Sequence, residues 1–217
     1  MTAASTTTTR RADRAFLRAR LGSLLAVLPL GVWTIAHLWH NLSAFRGAAE
    51  WERDVTEYPH RVAFFVTSLV ALLPLGLHTV WGIGRLFTTR PNVVRYKYYE
   101  NLKYVVQRLS ALGVLAFLGA HVWKAMIEPR ALGGHPEEFE HIAHFMRTHM
   151  PTLAVYLLGT LAVSYHLANG LHTFAMGWGI ASSRRALKKL DVLALLLFVV
   201  LLGMSWAVIY ALYDAGA

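Results

Sequence analysis

Residues 192–213 read VLALLLFVVLLGMSWAVIYALY, twenty-two positions without an Asp, Glu, Lys or Arg. At ~1.5 Å of rise per residue such a helix covers ~33 Å, enough to cross the hydrocarbon of a bilayer. Three more stretches, 21–45, 62–84 and 153–181, are equally free of charge. A fifth, 104–127, is uncharged from Leu109 to Trp123, with Arg108 and Lys124 near enough to its ends to snorkel towards headgroups. Composition agrees: 56% of the 217 residues are hydrophobic, 15% are charged, and the mean hydropathy is +0.42. The chain therefore reads as an all-α membrane protein with five transmembrane helices. Its connections are short, which makes successive helices antiparallel neighbours in an up-and-down bundle. Residues 1–16 form a polar tail, MTAASTTTTRRADRAF, expected to be disordered and cytoplasmic, and 17–217 form a single five-helix domain. The first span is too long for the apolar core of a cleaved signal.

Basic residues are retained on the cytoplasmic side during insertion, so their positions predict orientation. With the N-terminus inside, the inner segments hold fifteen of the 21 basic residues, and the outer segments hold nine of the twelve acids. The net charge of +9 thus divides into +12 inside and −3 outside, with the C-terminus outside. It is a topology signal and not a nucleic-acid footprint. The inner segment 88–103, TTRPNVVRYKYYENLK, mixes bases with tyrosines, as an interfacial belt or a docking surface for a cytoplasmic partner would. The outer segment 135–149 puts Phe139, Ile142 and Met146 at helical spacing, suited to the membrane surface.

The absence of cysteine excludes disulfides, thiolate-held iron–sulfur clusters and thioether-linked heme. The eleven histidines are the obvious candidate ligands. Six of the eleven histidines, His37, His40, His78, His121, His166 and His172, lie within spans, where a polar side chain is costly and faces the bundle interior. Taken singly, each could be an interhelical hydrogen bond. Depth changes the reading. His37 is 17 residues beyond Arg20 and His121 is 13 beyond Arg108, towards the outer face. His78 is seven residues before Arg85 and His166 is 15 beyond Pro151, towards the inner face.

Two histidines from different helices at matching depth supply the two axial positions that a porphyrin leaves on its iron. Two such pairs imply two hemes stacked ~15 Å apart along the membrane normal. Gly159, Ala162, Gly170 and Thr173 around His166, with Gly82 one turn past His78, are small enough to admit porphyrin. His40 is an alternative ligand or a neighbour of a propionate, and His172 is second to these. The outer histidines His135, His141, His144 and His149 read as a solvated loop.

These residues carry a resemblance. RLGSLLAVLPLGVWTIAH ending at His37, LHTVWG around His78, VVQRLSALGVLAFLGAHVW around His121 and YHLANGLHTFAMGWG from Tyr165 occur in order over four of the five helices. Together they resemble the single-chain, five-helix, diheme cytochrome b anchor of succinate:menaquinone oxidoreductases and fumarate reductases. The resemblance implies that His78 and His166 hold an inner heme b and that His37 and His121 hold an outer one. It departs from the family pattern at His172, where an aromatic residue is expected. It further implies separate flavoprotein and iron–sulfur subunits on the cytoplasmic side, docked in part on 88–103. Electrons would pass from iron–sulfur centre to inner heme, outer heme and a quinone, expected to be menaquinone, near the outer face of a bacterial inner membrane. Glu50 and Glu52, ahead of Glu57, are candidate proton relays there. Arg20, Ser23, Gln107 and Arg108 are candidate contacts of propionates or quinone. Competing readings are the cytochrome b subunit of a formate dehydrogenase or hydrogenase, a histidine-lined metal transporter, and a cofactor-free anchor.

Overall fold

The computed structural model describes Phe16 and residues 20–57, 61–88 and 94–217. The tail predicted at 1–16, apart from Phe16, lies outside the described residues. Among the described residues five helices are long and apolar enough to cross a membrane: α1 (Arg20–Arg46), α2 (Arg61–Thr88), α3 (Tyr99–Val122), α5 (Met150–Gly177) and α6 (Arg184–Ala215). A short amphipathic helix, α4 (Phe139–Thr148), stands between α3 and α5. No strand occurs among the described residues.

Two of the spans are longer than hydropathy predicts. α3 starts at Tyr99, inside the segment read as an inner loop, and continues past Val122 through π-helical turns at Trp123–Ile127 and Pro129–Gly133. α6 starts at Arg184, so Arg184, Arg185, Lys188 and Lys189 lie on its first turns, capped by Ser183 Oγ accepting from the Ala186 amide at 3.1 Å. Pro29 lies in a π-helical turn, Ala26–Gly31, because proline offers no amide and crowds the carbonyl four residues back. Pro74, in contrast, is taken into an unbroken α2.

Hydrophobicity is turned outward. Val66, Leu69, Val70 and Leu73 on α2, and Leu195, Leu196, Val199 and Val200 on α6, are exposed, as a lipid-facing surface requires. Small and polar side chains are buried instead: Ser110, Ser164, Asn169, His172 and Ser205. Ser164 and Ser205 donate to carbonyls four residues back, so their hydroxyls are satisfied without a partner helix.

α3, α5 and α6 pack side by side, α4 lies on the outer half of α6, and α2 packs mainly on the π-helical turn of α1. Glycine permits the α3–α5 approach. A Cβ on Gly159 would run into the Phe117 ring, and one on Gly113 would stand 2.9 Å from the Ala162 Cβ. Gly159 and Ala162, predicted to make room for porphyrin, therefore make room for a helix. The outer end is closed by an apolar cluster in which Phe139, Ala143 and Met146 of α4 meet Ala44, Trp51, Val208, Ile209 and Leu212. The apolar face predicted to lie on the membrane is thus applied to protein.

Gly159→Val should cost about 1–3 kcal/mol of stability by overpacking the α3–α5 contact. Gly203→Ala, where an added Cβ meets nothing within 4 Å, should not lower it. Thermal unfolding in detergent micelles compares the two.

Candidate functional site

The four histidines paired by depth are paired in space. The ring centres of His37 on α1 and His121 on α3 stand 6.1 Å apart, with an interplanar angle of 67°. Those of His78 on α2 and His166 on α5 stand 6.3 Å apart, at 65°. A metal–imidazole bond of about 2 Å and about 1.1 Å from nitrogen to ring centre would put two trans imidazoles about 6.3 Å apart. Both pairs match that separation, and each bridges two helices that do not pack tightly on one another.

A neutral imidazole binds a metal through one nitrogen when the other is engaged. His78 Nδ1 lies 3.0 Å from the Gly22 carbonyl, so it donates there and leaves Nε2 with its lone pair. His121 Nδ1 lies 3.1 Å from the Tyr156 hydroxyl. His166 Nδ1 lies 3.3 Å from Ser110 Oγ and 3.2 Å from the Gln107 amide nitrogen. Of these two, the hydroxyl is the group that can accept. His37 differs, with its Nε2 3.4 Å from the Asn41 amide, a long contact, and its ring stacked on Trp33 at 4.6 Å between centres.

Gln107, predicted at a propionate or quinone, is committed to His166. Its amide donates to the His166 carbonyl at 3.1 Å, and its oxygen accepts from Asn169 at 2.8 Å. Ser110 adds a bond of 2.9 Å to the Gln107 carbonyl. Ser110, Asn169 and Tyr156 escaped sequence reading because Ser and Asn in a span look like generic interhelical polar residues, and Tyr like an interfacial one.

The inner end also has a donor to spare. Arg20 Nε is buried without a hydrogen-bond partner, and its guanidinium occupies the space that a Cβ on Gly177 would take. An anionic group such as a heme propionate matches that donor. Ser23 donates to the Arg20 carbonyl at 2.8 Å and accepts from Trp178 Nε1 at 3.3 Å. Arg108 donates to the Arg85 carbonyl at 2.8 Å and stacks over Tyr104. A Cβ at Gly82 would meet nothing within 4 Å, and one at Gly170 only Gln107 at 3.9 Å, so these two keep open space near the inner pair. The residues present thus fit two bis-histidine hemes.

At the outer end a cavity of about 180 Å³ adjoins His37 and is lined by Trp33, Ala36, His40, Asp54, Val55 and Thr67. His40 faces this cavity and donates from Nδ1 to the Asp54 carbonyl at 3.2 Å. Glu50 is hydrogen-bonded by Arg53, which holds its carboxyl below the usual carboxylate range, and Arg46 adds to the effect. A group so held stays ionised at neutral pH and releases its charge only as pH falls through that lowered value. Glu52 accepts from the Phe139 amide at 3.0 Å, which anchors the start of α4 to the first outer loop. Both acids therefore have structural partners.

His172 is buried, with Nε2 3.0 Å from Asp191 Oδ1, and Lys103 Nζ reaches the same oxygen at 2.9 Å. One acid on α6 thereby ties α5 to α3. Of the outer histidines, His141 and His144 are on a helix and not in the predicted loop, and His141 pairs with Glu137. Among the described residues no group of three or more His, Cys, Asp or Glu stands close enough to hold a metal ion.

The succinate dehydrogenase/fumarate reductase transmembrane subunit family matches residues 88–205, which include His121 and His166. The succinate dehydrogenase cytochrome b558 subunit of Bacillus subtilis (strain 168) is 32% identical over 202 residues, covering 92% of this chain and 98% of its own length. No solved structure matches.

Ser110→Ala leaves His166 Nδ1 buried without its acceptor, at a cost of about 1–3 kcal/mol. Ser110→Thr should restore most of that, and chemical unfolding in micelles measures both.

Proposed function

Since the chain belongs to the succinate dehydrogenase/fumarate reductase transmembrane subunit family, we propose that it carries electrons from an iron–sulfur subunit, through two b hemes, to a quinone. The observation that carries this reading is the pair of histidine pairs, 6.1 and 6.3 Å between ring centres, each joining two spans. The chain is a multi-pass protein of a bacterial inner membrane, with five helices of spanning length. Its partners are a flavoprotein and an iron–sulfur protein, which carry the dicarboxylate chemistry.

His78 and His166 hold the inner heme, and His37 and His121 the outer one. Hemes so held supply one-electron transfer along the membrane normal. The chain's own residues supply the rest. Gly22, Ser110 and Tyr156 fix the ring orientation of three of the ligands through Nδ1, which raises the basicity of the coordinating nitrogen. Arg20 offers its unpartnered donor to a propionate of the inner heme. The N-terminus and the basic segments face the cytoplasm, and 88–103, with Val94, Tyr98 and Tyr99 exposed, takes the partner subunits.

Quinone is reduced near the outer face by two electrons from the protein and two protons from the outer water. An electron moving from a negative inside to a positive outside is assisted by ~2.3 kcal/mol per 100 mV, which suits reduction of a low-potential menaquinone.

A reduced-minus-oxidised visible spectrum of the purified protein should show b-type bands with two hemes per chain. His78→Ala or His166→Ala should remove the inner heme, and His37→Ala or His121→Ala the outer one. A folded chain without heme, or loss of the opposite member, would refute the assignment.

A further inference from the structure

Three of the four paired rings are held by a hydrogen bond at Nδ1, and the fourth is held by another ring. His37 has no Nδ1 bond among the described residues, and its Nε2 contact with the Asn41 amide is long, at 3.4 Å. That amide is committed elsewhere: it donates to the His37 carbonyl at 2.8 Å, while the Asn41 oxygen accepts from Trp51 Nε1 at 3.2 Å. The second side-chain torsion of histidine is broad and roughly two-fold, so a ring without a hydrogen bond takes the plane that its packing allows. On His37 that packing is Trp33. α1 is regular α-helix from Val32 to Asn41, which places Trp33 and His37, four residues apart, on one face. Their ring centres stand 4.6 Å apart with an interplanar angle of 11°, a nearly parallel stack.

The two rings of the outer pair are therefore held by different means. His121 has both a bond, to the Tyr156 hydroxyl at 3.1 Å, and a stack, on Phe117 at 5.3 Å and 18°. His37 has the stack alone. Trp33 has a second neighbour, because with His37 it lines the outer cavity of about 180 Å³. The lining comes from α1, the first outer loop and α2, and includes no described residue of α3, which carries His121. The cavity thus lies beside the outer pair and not between its rings. Its walls are apolar at Trp33, Ala36 and Val55 and polar at His40 and Thr67, a mixture suited to a flat ring that carries carbonyl oxygens.

We propose that Trp33 is a positioning residue of the outer heme: its indole sets the plane of the His37 ring, and since the same indole walls the cavity, a naphthoquinone ring seated there shifts that plane. The proposal rests on the diheme reading above. The orientation of the axial imidazoles governs the splitting of the iron d orbitals and so the g-values of the oxidised heme, which makes the plane of His37 a readable quantity. No bond is made or broken in this coupling, and no proton moves. Its effect is local. A seated quinone is felt at the outer iron, whereas the rings of the inner pair are fixed by Gly22 and Ser110, away from the cavity.

The test is low-temperature EPR of the oxidised intact complex, with the outer signal assigned as the one that His37→Ala removes. Adding 2-methyl-1,4-naphthoquinone to the unaltered protein should shift the largest g-value of the outer heme and leave that of the inner heme in place. Trp33→Leu should keep both hemes, broaden the outer signal through a spread of ring planes, and abolish the shift. Trp33→Phe, which retains a smaller stacking ring, should alter the outer signal less and the inner one not at all. Ala36→Leu, which fills the cavity and leaves the stack in place, should abolish the shift without altering the resting signal. A resting outer signal that is unchanged in Trp33→Leu, or in Trp33→Phe should the leucine variant fail to assemble, overturns the proposal. So does a naphthoquinone shift that is absent from the unaltered protein or survives Ala36→Leu. Absence of the outer heme from the unaltered protein, visible in its optical spectrum, would instead refute the diheme reading.

Discussion

A histidine in hydrocarbon must find partners for two ring nitrogens, and the arrangement of this bundle follows from how that is met. In three of the four paired rings Nδ1 is spent within the protein, on the Gly22 carbonyl, Ser110 or Tyr156. Each bond comes from a different element than the ring it holds, so helix packing and ring orientation specify one another. In those three rings Nε2 is left with its lone pair. The separation of the ring centres is then set by backbones, at 6.1 and 6.3 Å, the span that two imidazoles bound to one metal between them would need.

The bundle accordingly has one packed wall and one open one. α3, α5 and α6 are drawn together by glycine, alanine and serine, where Gly159 receives Phe117 and Gly113 meets Ala162. The Lys103–Asp191–His172 contact locks the inner end of this wall, and the cluster around Met146 locks the outer end. α1 and α2 form the other wall, joined through the π-helical turn forced by Pro29. Each histidine pair has one member on each wall.

Much of this was legible from residues alone. Uncharged runs located five spans, and counting from the flanking bases paired His37 with His121 and His78 with His166, because helical rise is uniform enough to turn sequence distance into depth. What escaped depends on azimuth and not on depth. A glycine beside a ligand looks the same whether a porphyrin or a phenylalanine fills its space, so Gly159 and Gly170 could not be told apart. Gln107 was placed at the right end of the right helix, but its partner is a histidine 59 residues on. The Glu137–His141 contact was hidden in a polar stretch, since a four-residue spacing there pairs two side chains only once a helix begins beside it at Phe139. His172 lacked a reason until Asp191, just outside the uncharged run, was found beside it.

The sparse attachment of α2 has a consequence for how the protein is made. Its contacts with the rest of the described bundle are concentrated on one turn of α1, while its outward face carries large apolar side chains suited to lipid. A helix so held is stable in the bilayer as a solitary span and gains little from docking on protein alone. On the proposed reading, His78 is its anchor to α5, so insertion of the inner heme is the event that closes the bundle. The order of assembly then has a physical basis: α2 can enter the bilayer by itself and is tied to α5 by the group its histidine shares.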